Sequence, residues 1–291
     1  MGKALVTYSI ADYMGPNRPE VSEYQYRFLA EGDTWFTIGA LNPARNSNLL
    51  QEMEFSVWSV AVNSALPGDS LKRMSQMNRD PRFAQLLEGR LSERWDAILL
   101  SAGGNDLIDA MQAAPTSPPH LRLLRTQAEW GPVSQGGTRY ISEAGMQTFA
   151  TYLGANLDAL LALRDRGRAA GRPVCMHTYA VPTPGPAGAG LGVGPWLMPA
   201  LVDYGIPKEE WRAVAAALLG ELATLLKGFA ADQGRFPGLD VFDTLAIPIE
   251  PARPDSNGES GDWVNEIHLS RRGSEKLARP WAAHIEALVA P

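Results

Sequence analysis

Apolar residues recur along this chain in two rhythms that take turns. In residues 24–36, YQYRFLAEGDTWF, the apolar positions Tyr26, Phe28, Leu29 and Ala30 run up to Gly32, and Asp33-Thr34-Trp35-Phe36 follows. A run of this kind bounded by Gly and Asp reads as a short strand delivered into a turn. Residues 55–62, FSVWSVAV, alternate with period two and give a second strand. Residues 95–101, WDAILLS, are a nearly continuous apolar run, as a central parallel strand covered on both faces requires. Residues 174–181 and 239–247 supply a fourth and a fifth strand.

Helical spacing fills the intervals. It spans 70–77 and then 81–91, where Pro81 suits a first helical turn. In 149–170, Leu153, Leu157, Leu160, Leu161 and Leu163 make one face, and Gly171 stops the helix. The longest pattern, 208–229, repeats Trp211, Val214, Leu218, Leu222 and Leu225 as an ordinary core stripe, and a last helix covers 270–288. Residues 1–22 carry little pattern and read as an arm or edge element. Residues 39–50 read as an Asn- and Pro-rich loop before a short amphipathic turn. Two stretches resist both rhythms: 112–140, with four Pro and three Gly, and 182–207, rich in Pro, Gly and Ala around Trp196, Leu197 and Met198. Irregular stretches of that length are usually functional or mobile.

Strand and helix thus alternate five times, which predicts an α/β three-layer sandwich: a central parallel sheet of about five strands with helices on both faces. One domain over 1–291, with insertions at about 112–140 and 182–207, is expected. Right-handed crossovers then line up Thr34, Gly68, Gly104-Asn105 and the segment before His268 along the carboxyl edge, where open sheets build their sites. Composition adds that 45% hydrophobic residues suffice for a core without metal or disulfides. The net charge of -6 disfavours nucleic acid or an anionic membrane surface as partner and points to a neutral or mildly polar small molecule. The amino end has no apolar stretch of secretory length, and no run of about 18 apolar residues occurs, so a cytoplasmic protein with no membrane span is expected. The lone Cys175 lies in an apolar run and is expected to be a buried structural thiol.

Four segments now bear on chemistry. Gly32-Asp33-Thr34 follows the first strand, Gly68 the second and Gly103-Gly104-Asn105-Asp106 the third, and His268 stands near the carboxyl end. Taken in order, they resemble the four blocks of the SGNH/GDSL hydrolases over about residues 24–285. Gly-Gly-Asn-Asp after an apolar strand is the most specific of them; an isolated Gly-Asp-Ser or Gly-Asp-Thr triplet is weak. The resemblance implies a flavodoxin-like sheet and acyl-ester hydrolysis of a small-molecule ester. In that family a Ser attacks, a His is the base, an Asp three residues before it orients the ring, and backbone N–H groups with an Asn side chain hold the oxyanion. Carried onto this chain, the candidate site is Thr34, Gly68, Asn105, Asn265 and His268. The residue types agree: Asn105 offers an amide NH₂ to developing negative charge, and Gly68 lets a backbone N–H approach without a β-carbon in the way. No metal or organic cofactor is implied, since HExxH, clustered Cys and phosphate loops are absent from the sequence. Among the other histidines, His120 falls in a Pro-rich loop, His284 in the last helix and His177 in the fourth strand as a core or strand-end residue.

The chain departs from the family twice. Thr34 stands where the family has Ser; its hydroxyl can attack, but the extra methyl stiffens χ1 and crowds the carbonyl. A slow Thr enzyme, an introduced Ser→Thr substitution and a natural non-catalytic protein all fit that residue. A literal Gly68-Asp69-Ser70-Leu71 also occurs, but Ser70 sits only about 30 residues before Gly-Gly-Asn-Asp, where the second block belongs. Asp69 or Ser70 more simply caps the following helix. Asn265 replaces the triad Asp; it can orient an imidazole without supplying charge, and in a Ser protease the same exchange costs about 10⁴ in rate. Asp262 and Glu266 are the nearby carboxylates that could stand in. The leading reading is an esterase-like acyl hydrolase; the alternatives are a catalytically inactive binding protein on the same fold and a carbohydrate O-deacetylase. The irregular stretches would shape the acyl or alcohol pocket, with Trp35, Trp196 and Met198 as apolar candidates.

Overall fold

The strand-like periods yield six strands rather than five. In the computed structural model, which describes residues 2–38, 46–76, 81–190 and 192–290, one parallel sheet is formed by β1 Val6–Ser9, β2 Tyr26–Gly32, β3 Ser59–Asn63, β4 Ala97–Ser101, β5 Val174–His177 and β6 Leu239–Phe242. Their order is β1-β3-β2-β4-β5-β6. The additional strand is β1, an edge strand within the stretch that had little pattern: only four residues long, it is half covered and alternates too briefly to stand out. Before it, Lys3–Ala4 pairs antiparallel with Glu54–Phe55, so the expected second strand is split and its sheet portion starts at Ser59.

Every residue of β4 is buried, and β2 and β3 are buried almost throughout. Strands covered on both faces need helices on both faces, and this is why their apolar residues run on instead of alternating. The chain leaves β2 for β3 on one side and resumes at β4 on the other. The carboxyl ends of β2 and β4 therefore flank the crevice at the point where strand order reverses, the usual ligand position in open α/β sheets. Pairing sets Gly32 level with Ser101. A β-carbon on Gly32 would come within 2.8 Å of Ser101 Cβ, so only glycine lets the strand ends close this tightly.

The strands expected over 174–181 and 239–247, now β5 and β6, end earlier than their apolar runs. Thr178 Oγ1 donates to Asp243 Oδ1 at 3.0 Å and accepts the Leu245 N–H at 2.8 Å, which turns both chains out of the sheet. The helix expected over 149–170 begins at Glu143, because Ser142 caps it by accepting the Gly145 N–H, and it ends at Asp165. Trp211–Ala231 and Arg271–Val289 match their expected helices to within a few residues. By length and composition Lys208–Ala231 is apolar enough to cross a bilayer. It buries Trp211, Val214, Leu218, Leu222 and Leu226 and packs on β6 and residues 133–140, as a core helix does. Shorter helices occupy Leu71–Met74 and Pro81–Leu87. The end of the 70–77 pattern and residues 39–45 of the expected loop lie outside the described residues. After that loop, Asn48 caps the short helix Leu49–Glu52 by accepting the Gln51 N–H at 3.0 Å.

Residues 112–140 contain short 3₁₀ helices at Pro119–Leu121 and Gln127–Glu129, and two more turns within Val133–Tyr140 that are separated by a kink at Gly136. Buried Arg122 joins the first two through two bonds to Glu129, each 2.7 Å, and one to the Leu124 carbonyl, while the Arg125 N–H donates to the Tyr140 carbonyl at 2.7 Å. That bidentate pair holds the Glu129 carboxyl at about 2. A stretch without hydrophobic rhythm is here held by a polar cross-link.

Candidate active site

The turn after β2 presents the first functional group. Asp33 caps the short helix Thr34–Thr37, its Oδ1 accepting the Trp35 N–H at 2.9 Å. The same oxygen accepts the Ser101 hydroxyl at 2.8 Å, and Oδ2 accepts the Tyr179 hydroxyl at 2.7 Å. Burial pushes this carboxyl up to about 6, against the pull of those three donors. With its capping aspartate anchored to β4 and to Tyr179, Thr34 stands half-buried at the first helical position, and its Oγ1 lies 2.7 Å from His268 Nε2.

His268 sits in a tight loop just before the last helix, closed by the Val264 N–H donating to the His268 carbonyl at 2.9 Å. Asn265 Oδ1 accepts the N–H groups of Ile267 at 3.2 Å and His268 at 2.9 Å. Those two donors hold the amide with its oxygen, not its nitrogen, toward His268 Nδ1 at 3.0 Å. An acceptor there keeps the ring proton on Nδ1 and leaves the Nε2 lone pair facing the Thr34 hydroxyl. Burial lowers the His268 pKa to about 4, so the ring is neutral at pH 7. The Trp196 ring meets it in a T-shaped contact at 5.0 Å, and Trp35 Nε1–H donates to the Ile267 carbonyl at 3.2 Å, tying the two loops together.

Neither neighbouring carboxylate reaches the imidazole as a partner. Asp262 accepts the Glu250 N–H at 2.7 Å and pairs with Lys276 at 2.5 Å. Glu266 turns the other way and gathers the N–H groups of Gly185 (3.1 Å), Leu197 (2.9 Å), Met198 (2.9 Å) and Trp196. It thereby fastens the second irregular stretch beside the His268 loop.

Across the crevice, Gly103 adopts φ +102, a left-handed geometry that starts the helix Gly104–Met111 and needs glycine. Asn105 Nδ2 donates one hydrogen to the Asp69 carbonyl at 2.9 Å, which ties the amide to that turn and leaves its second hydrogen outside the bond. Gly68, the residue before that carbonyl, is exposed at φ +78. The two turns are locked by Asp106, whose buried carboxylate accepts the Leu71 N–H at 2.9 Å and the Tyr152 hydroxyl at 2.6 Å. Ser70 occupies the cap position of the Leu71–Met74 helix, but its side chain makes no capping bond; Asp106 takes that role.

Thr34, Asn265 and His268 are thus in one hydrogen-bonded line, while Asn105 joins the Gly68-Asp69 turn. Thr34 and Asn105 share a cleft of about 440 Å³, including space open to solvent, that also reaches Ile108, Leu197, Leu219 and Ile267. Of the apolar candidates Trp35 lines it, whereas Trp196 packs on the His268 ring. Elsewhere, Cys175 is fully buried and its thiol is pushed up by burial. His284 pairs with Asp240 at 2.8 Å. His177 is buried among Trp35, Phe36 and Trp281, its Nδ1–H donating to the Thr178 carbonyl at 2.6 Å. Among the described residues no group of three or more His, Cys, Asp or Glu is arranged for a metal ion. Ser101, Asp106, Tyr179 and Glu266 were not predicted in the roles they hold here; each works through a partner 35 or more positions away, which local spacing does not reveal.

No family model matches the chain, and no curated protein matches it. Solved structures do. An extracellular lipase from Streptomyces rimosus covers 89% of this chain and 99% of its own at 16% identity and a TM-score of 0.48. A phospholipase A1 from Streptomyces albidoflavus NA297 covers 89% and 98% at 13% identity and 0.45. Est24, a carbohydrate acetylesterase from Sinorhizobium meliloti, covers 91% and 100% at 12% identity and 0.43.

Proposed function

We propose that the protein is an acyl-ester hydrolase in which Thr34 attacks, His268 moves the proton, Asn265 orients His268, and Gly68 and Asn105 hold the oxyanion. The observation that carries this reading is the hydrogen-bonded line Thr34 Oγ1, His268 Nε2, His268 Nδ1, Asn265 Oδ1, with steps of 2.7 and 3.0 Å about the ring. A hydroxyl is a weak nucleophile at its own pKa, and an oriented neutral imidazole is the group that activates it. As Oγ1 bonds to the carbonyl carbon, its proton passes to Nε2. The carbonyl oxygen becomes an alkoxide, met by the free Asn105 amide hydrogen and the backbone N–H groups of Thr34 and Gly68. Collapse expels the alcohol, which takes the proton from Nε2, and leaves an acyl ester on Thr34. Water then adds to that ester as its proton passes to the same nitrogen, and collapse returns this proton to Thr34 Oγ1 and releases the carboxylic acid.

Asn265 is less of a handicap than its residue type suggests. Much of the loss on replacing a triad Asp by Asn comes from the wrong imidazole tautomer. Here the oxygen is held toward Nδ1 by two backbone donors, so the tautomer is kept and only the carboxylate charge is lacking. The Thr34 methyl is a second impediment, because it crowds the incoming carbonyl. Four sequence blocks in family order support the same assignment, as does a small neutral substrate for a chain of net charge -6. A cytoplasmic setting belongs to this proposal.

Turnover of p-nitrophenyl acetate and butyrate by the chain and by Thr34→Ser tests it. Relief of methyl crowding raises kcat/KM by about tenfold, equivalent to about 1.4 kcal/mol of overpacking, and His268→Ala abolishes the gain. No turnover by either protein with any ester supports the non-catalytic binder; release of acetate from acetylated sugars with no action on butyrate supports the deacetylase.

A further inference from the structure

We propose, resting on the hydrolase reading for its orientation, that the cleft beside Thr34 is a preformed pocket for the acyl chain, and that the substrates are esters of linear monocarboxylic acids longer than acetate. Thr34 and Asn105 line the cleft, and His268 does not. In acyl transfer the leaving oxygen must meet the proton on His268 Nε2, so the alcohol half lies on the His268 side. The acyl half, which stays on Thr34, is the part directed into the cleft.

The walls suit a hydrocarbon. Ile108, Ala180, Leu197, Leu219 and Ile267 contribute a surface that is nearly all carbon, and five apolar side chains are more than the methyl of an acetyl group can touch at once. They come from separate elements already held in place. Ile108 is on the helix Gly104–Met111 and Leu219 on Trp211–Ala231. Leu197 is fixed by its own N–H bond to Glu266, whose carboxylate also takes the N–H groups on either side of it. A wall pinned by a buried carboxylate does not close up when the pocket is empty, so each added methylene gains its burial without a cost of opening.

Each methylene moved from water into such a pocket raises kcat/KM about fourfold. With Thr34→Ser carrying the activity, p-nitrophenyl butyrate is expected to exceed the acetate by about fifteenfold in kcat/KM, two methylenes being added. Ile108→Trp, at a half-exposed wall position where extra volume is tolerated, lowers the butyrate to acetate ratio, and Ile108→Ala does not. Melting curves establish that both variants fold. Independently of turnover, calorimetric titration of the native chain is expected to show octanoate binding at least about tenfold tighter than acetate, with the preference reduced by Ile108→Trp. Acetate turned over as well as butyrate, or a ratio indifferent to Ile108→Trp, overturns the pocket while leaving the hydrolase. Absence of turnover together with Ile108-dependent octanoate binding sinks the hydrolase and leaves the pocket; octanoate bound no better than acetate overturns it in either case.

Discussion

Gly-Asp-hydroxyl occurs twice in this chain, at 32–34 and at 68–70, and the two copies end in different places. Both follow parallel strands that pair with each other, and both open a short helix. In the first, Asp33 turns inward to Ser101 and Tyr179 while Thr34 meets an imidazole. In the second, Asp69 offers its carbonyl to Asn105, and Ser70 is relieved even of capping by Asp106. The triplet itself encodes a strand-to-helix turn. Chemistry depends on what the distant chain sets against its hydroxyl, and only the first copy has His268 opposite.

Breaking the second turn from the Asn105 side gives the largest expected effect. Asn105→Ala in the Thr34→Ser background removes the proposed oxyanion donor and the tie to Asp69, and kcat/KM should fall by about 10² to 10³. A loss smaller than about tenfold would assign the second turn no share in catalysis. Next comes Asn265→Asp, which adds charge behind His268, the proposed base opposite the first copy. It should raise kcat about tenfold, and it lifts the His268 pKa from about 4 toward the ordinary histidine range. The proposed base works deprotonated, so the pH profile of kcat/KM in the parent should rise through about pH 4 and be flat above it. In Asn265→Asp the rising limb moves to higher pH; an unmoved limb would mean that His268 is not the titrating base. The smallest effect sharpens the contrast directly. Ser70→Ala should leave kcat/KM within about twofold, whereas Asp106→Ala, which strips the Leu71 cap and the Tyr152 partner, should cost about 2 kcal/mol in urea unfolding.

Those contrasts mark what was legible in the residues. The strands of the sheet core announced themselves because burial on both faces demands unbroken apolar runs. The edge strand β1 did not, since four residues covered on one side leave almost no period to read. Thr34, Asn105, Asn265 and His268 could be named from their order along the chain. Tyr179 and Glu266 could not, because a tyrosine after an apolar run and a glutamate beside a histidine look alike whether they face solvent or hold a turn. Glu266 shows the limit well. As a carboxylate next to the base it looked like a replacement for the missing aspartate, yet its oxygens are occupied by four backbone amides of another segment. Which way a side chain faces at a loop is decided by the partner that folding brings, and that partner lies about 70 residues back.

The indole of Trp35 has a consequence of its own. By hooking the carbonyl of Ile267, it ties the helix that carries Thr34 to the loop that carries His268 through the main chain, in addition to the contact of the Thr34 hydroxyl itself. On the proposed mechanism, an exchange between threonine and serine at position 34 changes the crowding at the carbonyl while this tether stays in place.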